Sequence, residues 1–246
     1  MVCYYNSHKR EAHNLGPYFS ILRTFDFDGN IARFPPVAPI AKTNGRAIIG
    51  GMSKATDTKV QILDSALGLA RSIGYEALSI GELAKKVGMS KSGLFAHFKS
   101  KEALQLMILD HAAFTFTQKV IRPALKKKRG IIRLKAIIDH WVDWSVKENR
   151  GSCPLVTAAI EFDDRPGEVQ EKIKTHLSSL HHTIARACEI AVEEKELAED
   201  TDPDLMAQEI FSYILSYHLY VKTMCDAKAG KRFRTSLEQL IERNLA

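Results

Sequence analysis

A short segment of the chain, from Lys91 to Phe98, carries side chains that could read nucleic acid. When a helix enters a major groove, its first residues reach base edges while flanking groups hold phosphates. The outward side of this segment would present an amine, a hydroxyl, an aromatic ring and an imidazole: Lys91, Ser92, Phe95 and His97. The small Gly93 would let the backbone approach whatever the helix faces. The chemistry indicated is recognition of DNA rather than catalysis.

The charge distribution places this segment in a basic part of the chain. The net charge is only +6, but between Ile80 and Lys101 five lysines stand against one acid, Glu82. Between Glu189 and Asp204 the balance reverses and acidic residues predominate. Such an asymmetry predicts that one end of the molecule meets a polyanion.

Two short helices joined by a tight turn are predicted to position these side chains. Ser79 can cap a helix over 81–87, Gly88 and Met89 form the turn, and Ser90 can cap a second helix over 91–98. The apolar residues of both helices would pack inward on each other: Leu83, Ala84, Val87, Leu94 and Phe98. A helix, a glycine-containing turn and a second helix form the helix-turn-helix motif.

The remainder of the chain from Thr58 onward predicts an all-α fold. Apolar residues recur at helical spacing in most segments, and no alternation typical of a strand competes. Further helices are predicted over 58–74, 100–126, 131–146, 154–162, 168–194, 203–225 and 232–244. Pro154 suits the first position of its helix, which makes Cys153 the N-cap.

Composition and cysteine usage indicate a reduced, cytoplasmic protein of ordinary globular type. No apolar run approaches the ~20 residues that cross a bilayer, and the first residues lack the apolar region of a signal peptide. The four cysteines form no CxxC pair, and the adjacent His181 and His182 point to different faces of a helix. No metal or cofactor is expected.

Residues 1–51 differ from the rest, because they contain four of the eight prolines and no sustained period. We interpret them as an extension without stable structure, with Met52 as a candidate translation start. The alternative is an arm that follows the DNA backbone through basic residues. Its candidate contacts are Lys9, Arg10, Arg23, Arg33, Lys42 and Arg46.

The run ALSIGELAKKVGMSKSGLFAHFKSKEAL, over 77–104, resembles the DNA-binding signature of the TetR family of bacterial regulators. The resemblance implies phosphate contacts at the helix starts Ser79 and Lys101 and at His97, and base reading by the stretch from Lys91 to Gly93. The family commonly has Tyr where this chain has Phe95, which puts a hydroxyl contact to phosphate in doubt. The full expected DNA-binding set is Ser79, Ser90, Lys91, Ser92, Gly93, Phe95, His97, Lys99 and Lys101.

The resemblance further implies two domains, a DNA-binding domain over 52–100 and a helical ligand-binding and dimerisation domain over 101–246. Candidate pocket residues are Phe114, Trp141, Trp144, Phe162 and Leu177, chosen as apolar walls. Candidate dimer-interface residues come from the last two helices: Phe211, Ile214, Tyr217, His218, Val221, Phe233, Leu237, Leu240 and Ile241. The expected protein is a dimeric repressor that binds a near-palindromic operator and leaves it when a small effector binds.

Two alternatives stay open at the level of sequence. Cys153 at a helix N-cap could have a lowered thiol pKa and act as a redox or electrophile sensor. The helix-turn-helix could also serve as a protein contact or bind DNA without sequence preference. An enzyme is disfavoured, because no glycine-rich phosphate loop, nucleophile elbow or metal spacing occurs in the sequence.

Overall fold

The computed structural model describes residues 54–149 and 151–246, and these fold as helices. The helices are α1 (Lys54–Ile73), α2 (Ile80–Val87), α3 (Lys91–Phe98), α4 (Lys101–Phe116), α5 (Arg122–Leu125), α6 (Ile131–Glu148), α7 (Pro154–Glu161), α8 (Glu168–Glu193), α9 (Pro203–Lys222) and α10 (Ala229–Glu242). A π-helical segment, Thr117–Ile121, joins α4 to α5. The predicted extension over 1–51, its alternative role as an arm, and Met52 lie outside the described residues.

Helices α1 to α3 form the small N-terminal part of the described chain, and α2 packs against both α1 and α3. Ser79 caps α2 by accepting a hydrogen bond from the Glu82 backbone N–H at 3.1 Å. Gly88 ends α2 in the left-handed conformation (φ 69°), which glycine adopts without a steric penalty. Leu83 and Leu94 are fully buried between the helices. The predicted helix-turn-helix is therefore confirmed.

Helices α4 to α10 form the larger part of the described chain. The buried apolar residues form one continuous core that extends from α1 to α10. Helix α4 contacts α1, α7 and α8, so it links the two parts, while α8, α9 and α10 pack side by side. Within residues 54–149 and 151–246 there is no strand, only an isolated antiparallel bridge between Leu197 and Leu245. The all-α prediction is confirmed.

Among the described helices, none is long and apolar enough to span a bilayer.

Candidate nucleic-acid interface and core cavity

Helix α3 presents the side chains that the sequence placed on its outward side. Lys91, Ser92 and His97 are exposed, and the Phe95 ring is 52% exposed even though it is a large apolar group. Leu94 and Phe98, on the opposite side, are at most 1% exposed. An exposed aromatic ring between polar groups has surface to offer a DNA groove without giving up core packing.

Serine side chains cap the N-termini of α2, α3 and α4. The Ser90 hydroxyl accepts a hydrogen bond from the Gly93 N–H at 3.1 Å and lies 3.2 Å from the Ser92 hydroxyl. The Ser100 hydroxyl caps α4 by accepting from the Ala103 N–H at 3.0 Å. Ser79 and Ser90 therefore stabilise the first turns of α2 and α3 by accepting hydrogen bonds from backbone N–H groups.

A two-residue connection, Lys99 and Ser100, joins α3 to α4. Lys99 has a φ of 58°, in the left-handed region that non-glycine residues seldom adopt, while its backbone N–H still bonds to the Phe95 carbonyl. Its side chain is exposed. This connection places α4 directly after α3.

Lys101 begins α4, as predicted, and its ammonium has an acidic partner in the structure. Its Nζ donates to the Glu76 backbone carbonyl and lies 3.0 Å from the Glu76 carboxylate, whose other oxygen is 3.1 Å from Arg165. The hydrogen bond from Lys101 holds the pKa of the Glu76 carboxyl below its ordinary value. A phosphate contact by Lys101 would have to compete with Glu76. Sequence analysis missed Glu76, since nothing local marks a partner 25 residues away.

Replacing Glu76 with glutamine is expected to strengthen DNA binding about two- to fivefold. The change removes a negative charge beside Lys101 and Arg165, so both cations become available to phosphates. Affinity measured between about 50 and 200 mM salt should show a steeper salt dependence than that of the unaltered protein. Equal affinity and slope would mean that this cluster does not face DNA. Glu102→Gln, which removes a neighbouring exposed acid, is the control.

Comparison with known families agrees with this geometry. Residues 62–106 match the model described as "Bacterial regulatory proteins, tetR family", and residues 130–237 match "Tetracyclin repressor-like, C-terminal domain". Together the two matches span more than half of the chain. The chain belongs to the TetR family.

Individual TetR-family relatives are distant. The nucleoid occlusion factor SlmA of Alteromonas mediterranea is 24% identical over 149 residues, which are 59% of this chain and 72% of that protein. The regulator AcrR of Shigella flexneri is 25% identical, covering 60% of this chain and 70% of AcrR. The crystal structure of a TetR regulator from Chloroflexus aurantiacus matches with a TM-score of 0.71 at 23% identity, over 78% of this chain and 99% of that one.

The second part of this TetR-family chain encloses a small cavity between α6, α7, α9 and α10. Its volume is about 10 Å³, the room of one water molecule. Its lining consists of Ile138, Trp141, Val142, Ser145, Gly151, Ser152, Cys153, Val156, Ile214, Tyr217, His218 and Phe233. None of these lining residues is an Asp, Glu, Lys or Arg, so the cavity is uncharged apart from the titration of His218.

Polar groups in this cavity form a short chain of hydrogen bonds. The Ser152 hydroxyl lies 2.8 Å from His218 Nδ1 and 2.8 Å from the Thr157 hydroxyl. Burial, with a smaller contribution from Lys222, lowers the pKa of His218 below its ordinary value, which favours the neutral ring. The buried Trp141 indole N–H has no oxygen or nitrogen partner among the described residues. The cavity therefore places a buried indole N–H, next to the Cys153 thiol, near the imidazole of His218.

Of the five predicted pocket residues, only Trp141 lines the cavity. Trp144 instead packs edge-on against Phe116, whose ring centroid is 5.6 Å away, so it is a core residue. Phe162 is buried at the end of α7, while Phe114 and Leu177 are only partly buried in the body of the protein. Sequence spacing identified apolar faces, but not which faces leave space between them.

The thiol of Cys153 behaves oppositely to the sequence-based expectation. Cys153 is the N-cap of α7, as predicted, but it is only 3% exposed. Burial raises its pKa above the ordinary value, which outweighs the lowering by the backbone N–H groups of Val156 and Leu155 and by Trp141. The hypothesis that Cys153 has a lowered thiol pKa, and therefore a reactive thiolate, is wrong for the free protein.

Cys225 rather than Cys153 is expected to react first with a thiol reagent in the native protein. Cys225 is exposed in the turn after α9, whereas Cys153 and Cys188 are buried with raised thiol pKa values. Brief treatment with iodoacetamide at pH 8, followed by peptide mass spectrometry, should modify Cys225 at least about tenfold faster than Cys153. Equal modification of Cys153 in folded protein would restore the thiol-sensor hypothesis, and labelling after denaturation is the control.

The predicted dimer-interface residues lie mostly inside the protomer. Seven are buried: Ile214, Tyr217, His218, Phe233, Leu237, Leu240 and Ile241. Phe211 and Val221 are partly buried against the same core. Residues in the core of one copy have little area left for a second copy.

The outward side of α9 carries apolar residues that are not in the predicted interface set. Leu205, Leu215 and Leu219 are 53%, 43% and 50% exposed, and the small Ser212 lies between them on the same side. The positions 205, 208, 212, 215 and 219 alternate three- and four-residue steps, the spacing of a helix-pairing seam. This spacing was the signal that could have found them.

Proposed function

We propose that this TetR-family transcriptional regulator is a repressor that binds a near-palindromic operator as a dimer and leaves it when a small effector binds. The observation that supports this most strongly is the exposed face of α3. Lys91, Ser92, Phe95 and His97 point outward from a helix whose other side is fixed by Leu94 and Phe98. A rigid helix with reading groups on one side is what a major-groove contact requires.

A second copy of the chain would pair along the outward side of α9. Leu205, Leu215 and Leu219 would be removed from water in such a pair, and Ser212 would let the helices approach closely. A twofold pair of reading helices about 34 Å apart then reaches successive major grooves on one side of the DNA. This geometry supports an operator with two inverted half-sites.

The cavity between α6, α7, α9 and α10 is the proposed effector site. Its lining, which has no Asp, Glu, Lys or Arg side chain, and the buried Trp141 N–H suit a neutral, mainly apolar molecule with a hydrogen-bond acceptor. At about 10 Å³ the cavity has to widen to admit such a molecule. Binding would therefore favour a conformation with displaced helices, which is the differential affinity that release from DNA needs.

A structural neighbour supports the combination of effector and operator on this fold. AibR, with a TM-score of 0.60 at 21% identity over 74% of this chain and 96% of that one, was crystallised with isovaleryl coenzyme A and operator DNA. The uncharged cavity of the present chain would not neutralise the phosphates of a coenzyme A. The effector proposed here is consequently a different, uncharged compound.

Selection of binding sites from random duplexes by the full-length protein tests the proposed function. At near-physiological salt the expected result is a near-palindromic site with half-sites about one helical turn apart. Binding that is sensitive to salt but blind to sequence would reject operator recognition. It would favour the helix-turn-helix as a non-specific DNA or protein contact.

A further inference from the structure

The turn between α1 and α2, over 74–76, is held by side chains from the larger part of the protein. Gln105 of α4 donates to the Tyr75 carbonyl at 3.1 Å, and Lys101 holds the Glu76 carbonyl. Tyr75 itself is 1% exposed. The turn leads directly into α2, so its position sets where the whole helix-turn-helix stands relative to the rest of the protomer.

The last residue of α7, Glu161, also contacts this turn. One oxygen of its carboxylate accepts hydrogen bonds from the Tyr75 N–H at 2.7 Å and the Glu76 N–H at 3.1 Å. A Cβ at Gly74 would lie 3.1 Å from the same carboxylate, and Gly74 has a φ of 88°. Glycine at this position therefore allows both the turn and the close approach of Glu161.

The opposite end of α7 lies at the cavity. Cys153, its N-cap, and Val156 in its first turn line the cavity, while Glu161 is at its C-terminal end. An eight-residue helix is only about 12 Å long, so a displacement of its first turn as the cavity widens would also move its last residue. The displaced carboxylate would pull on, or release, two backbone N–H groups of the DNA-binding part.

We propose that Glu161 is a positioning residue that sets the placement of the reading helix and so the half-site spacing that the dimer accepts. The inference rests on the proposed function, because spacing has meaning only for a dimer on an operator. The carboxylate–amide contact acts through the turn and not by touching DNA. Charged hydrogen bonds to two N–H groups hold the turn more firmly than the exposed ion pair from Arg165 to Glu76 can.

The test measures the affinity of full-length protein for a set of operators whose half-sites are moved apart or together by one base pair. Each base pair changes the separation by about 3.4 Å and rotates the half-sites relative to each other. Unaltered protein should prefer one spacing by at least about tenfold. Glu161→Ala should lose at least about tenfold on the preferred spacing and discriminate between spacings less than about threefold, while non-specific binding stays unchanged.

Two further variants separate positioning from general stability. Glu161→Gln keeps an oxygen acceptor at the same place and should restore most of the spacing preference. Asp164→Ala removes an exposed carboxylate three residues further along and should behave as the unaltered protein. Melting temperatures of all variants are measured in parallel, so that binding is compared only where each is folded.

The outcomes distinguish this inference from the proposed function. If unaltered protein discriminates between spacings and folded Glu161→Ala keeps the same preference, the role of Glu161 is overturned and operator recognition stands. If Glu161→Ala only lowers the melting temperature, Glu161 is structural and the inference is also overturned. If unaltered protein has no preference for any spacing, the proposed function fails, and the inference fails with it.

Discussion

Lys91→Ala is expected to lower the affinity for the selected operator by about 5- to 150-fold for each of the two half-sites that the dimer contacts. A good hydrogen-bonding contact to a base edge contributes about 1–3 kcal/mol of discrimination, and Lys91 is the first residue of the exposed face of α3. The loss should be concentrated at one base pair of each half-site. Substitution of that base pair should cost the unaltered protein affinity but cost Lys91→Ala almost nothing more.

Competition binding with single-base operator variants measures this effect. Lys174→Ala, which removes an exposed lysine from α8, is the matched control and should leave both affinity and base preference unchanged. A loss that is uniform across all sequences would instead assign Lys91 to a phosphate. In that case the reading of bases would have to come from Ser92, Gly93 or Phe95.

The double substitution Leu215→Asp and Leu219→Asp is expected to convert the protein to monomers and to reduce operator affinity at least about 100-fold. In a twofold pair each substitution occurs twice, so four leucine contacts worth about 1.5–3 kcal/mol each on full burial are replaced by charges without partners. A monomer places only one reading helix on the DNA and loses the second half-site. Specific affinity therefore falls together with the dimer.

Sedimentation equilibrium gives the mass directly, since one chain is 27.6 kDa. Ile132→Asp places the same charge on α6, where the isoleucine is 50% exposed, and should leave a dimer with full operator affinity. If the double variant stays dimeric, the outward side of α9 is not the interface. If it becomes monomeric but keeps its affinity, the dimer is not needed for operator binding.

The sequence by itself determined the helix-turn-helix and its outward face. Ser79, Ser90 and Gly88 act on residues within a turn of themselves, because caps and left-handed helix ends are local interactions. The three- and four-residue spacing of Leu94 and Phe98 also fixed which residues of α3 face outward. These features could be predicted because every contact that decides them is close along the chain.

Only the tertiary structure decided which side of α9 faces the core and in which direction the thiol pKa of Cys153 is shifted. Helix α9 is apolar around most of its circumference, so its periodicity could not show that Ile214 and Tyr217 face the core while Leu215 and Leu219 face outward. The sequence located Cys153 at an N-cap, but burial by surrounding helices reverses the expected direction of its thiol pKa.

The connection between the two parts of the molecule was equally invisible in the sequence. Glu161 meets Tyr75 across 86 residues and Lys101 meets Glu76 across 25. As residue types, Glu161, Lys101 and Glu76 are the same as the many acids and lysines of a solvated helix surface. Nothing in the sequence therefore marks them as partners. Interactions between residues close along the chain thus determined the helix-turn-helix and its outward face, whereas the packing of distant helices decided which contacts hold it against the rest of the protein.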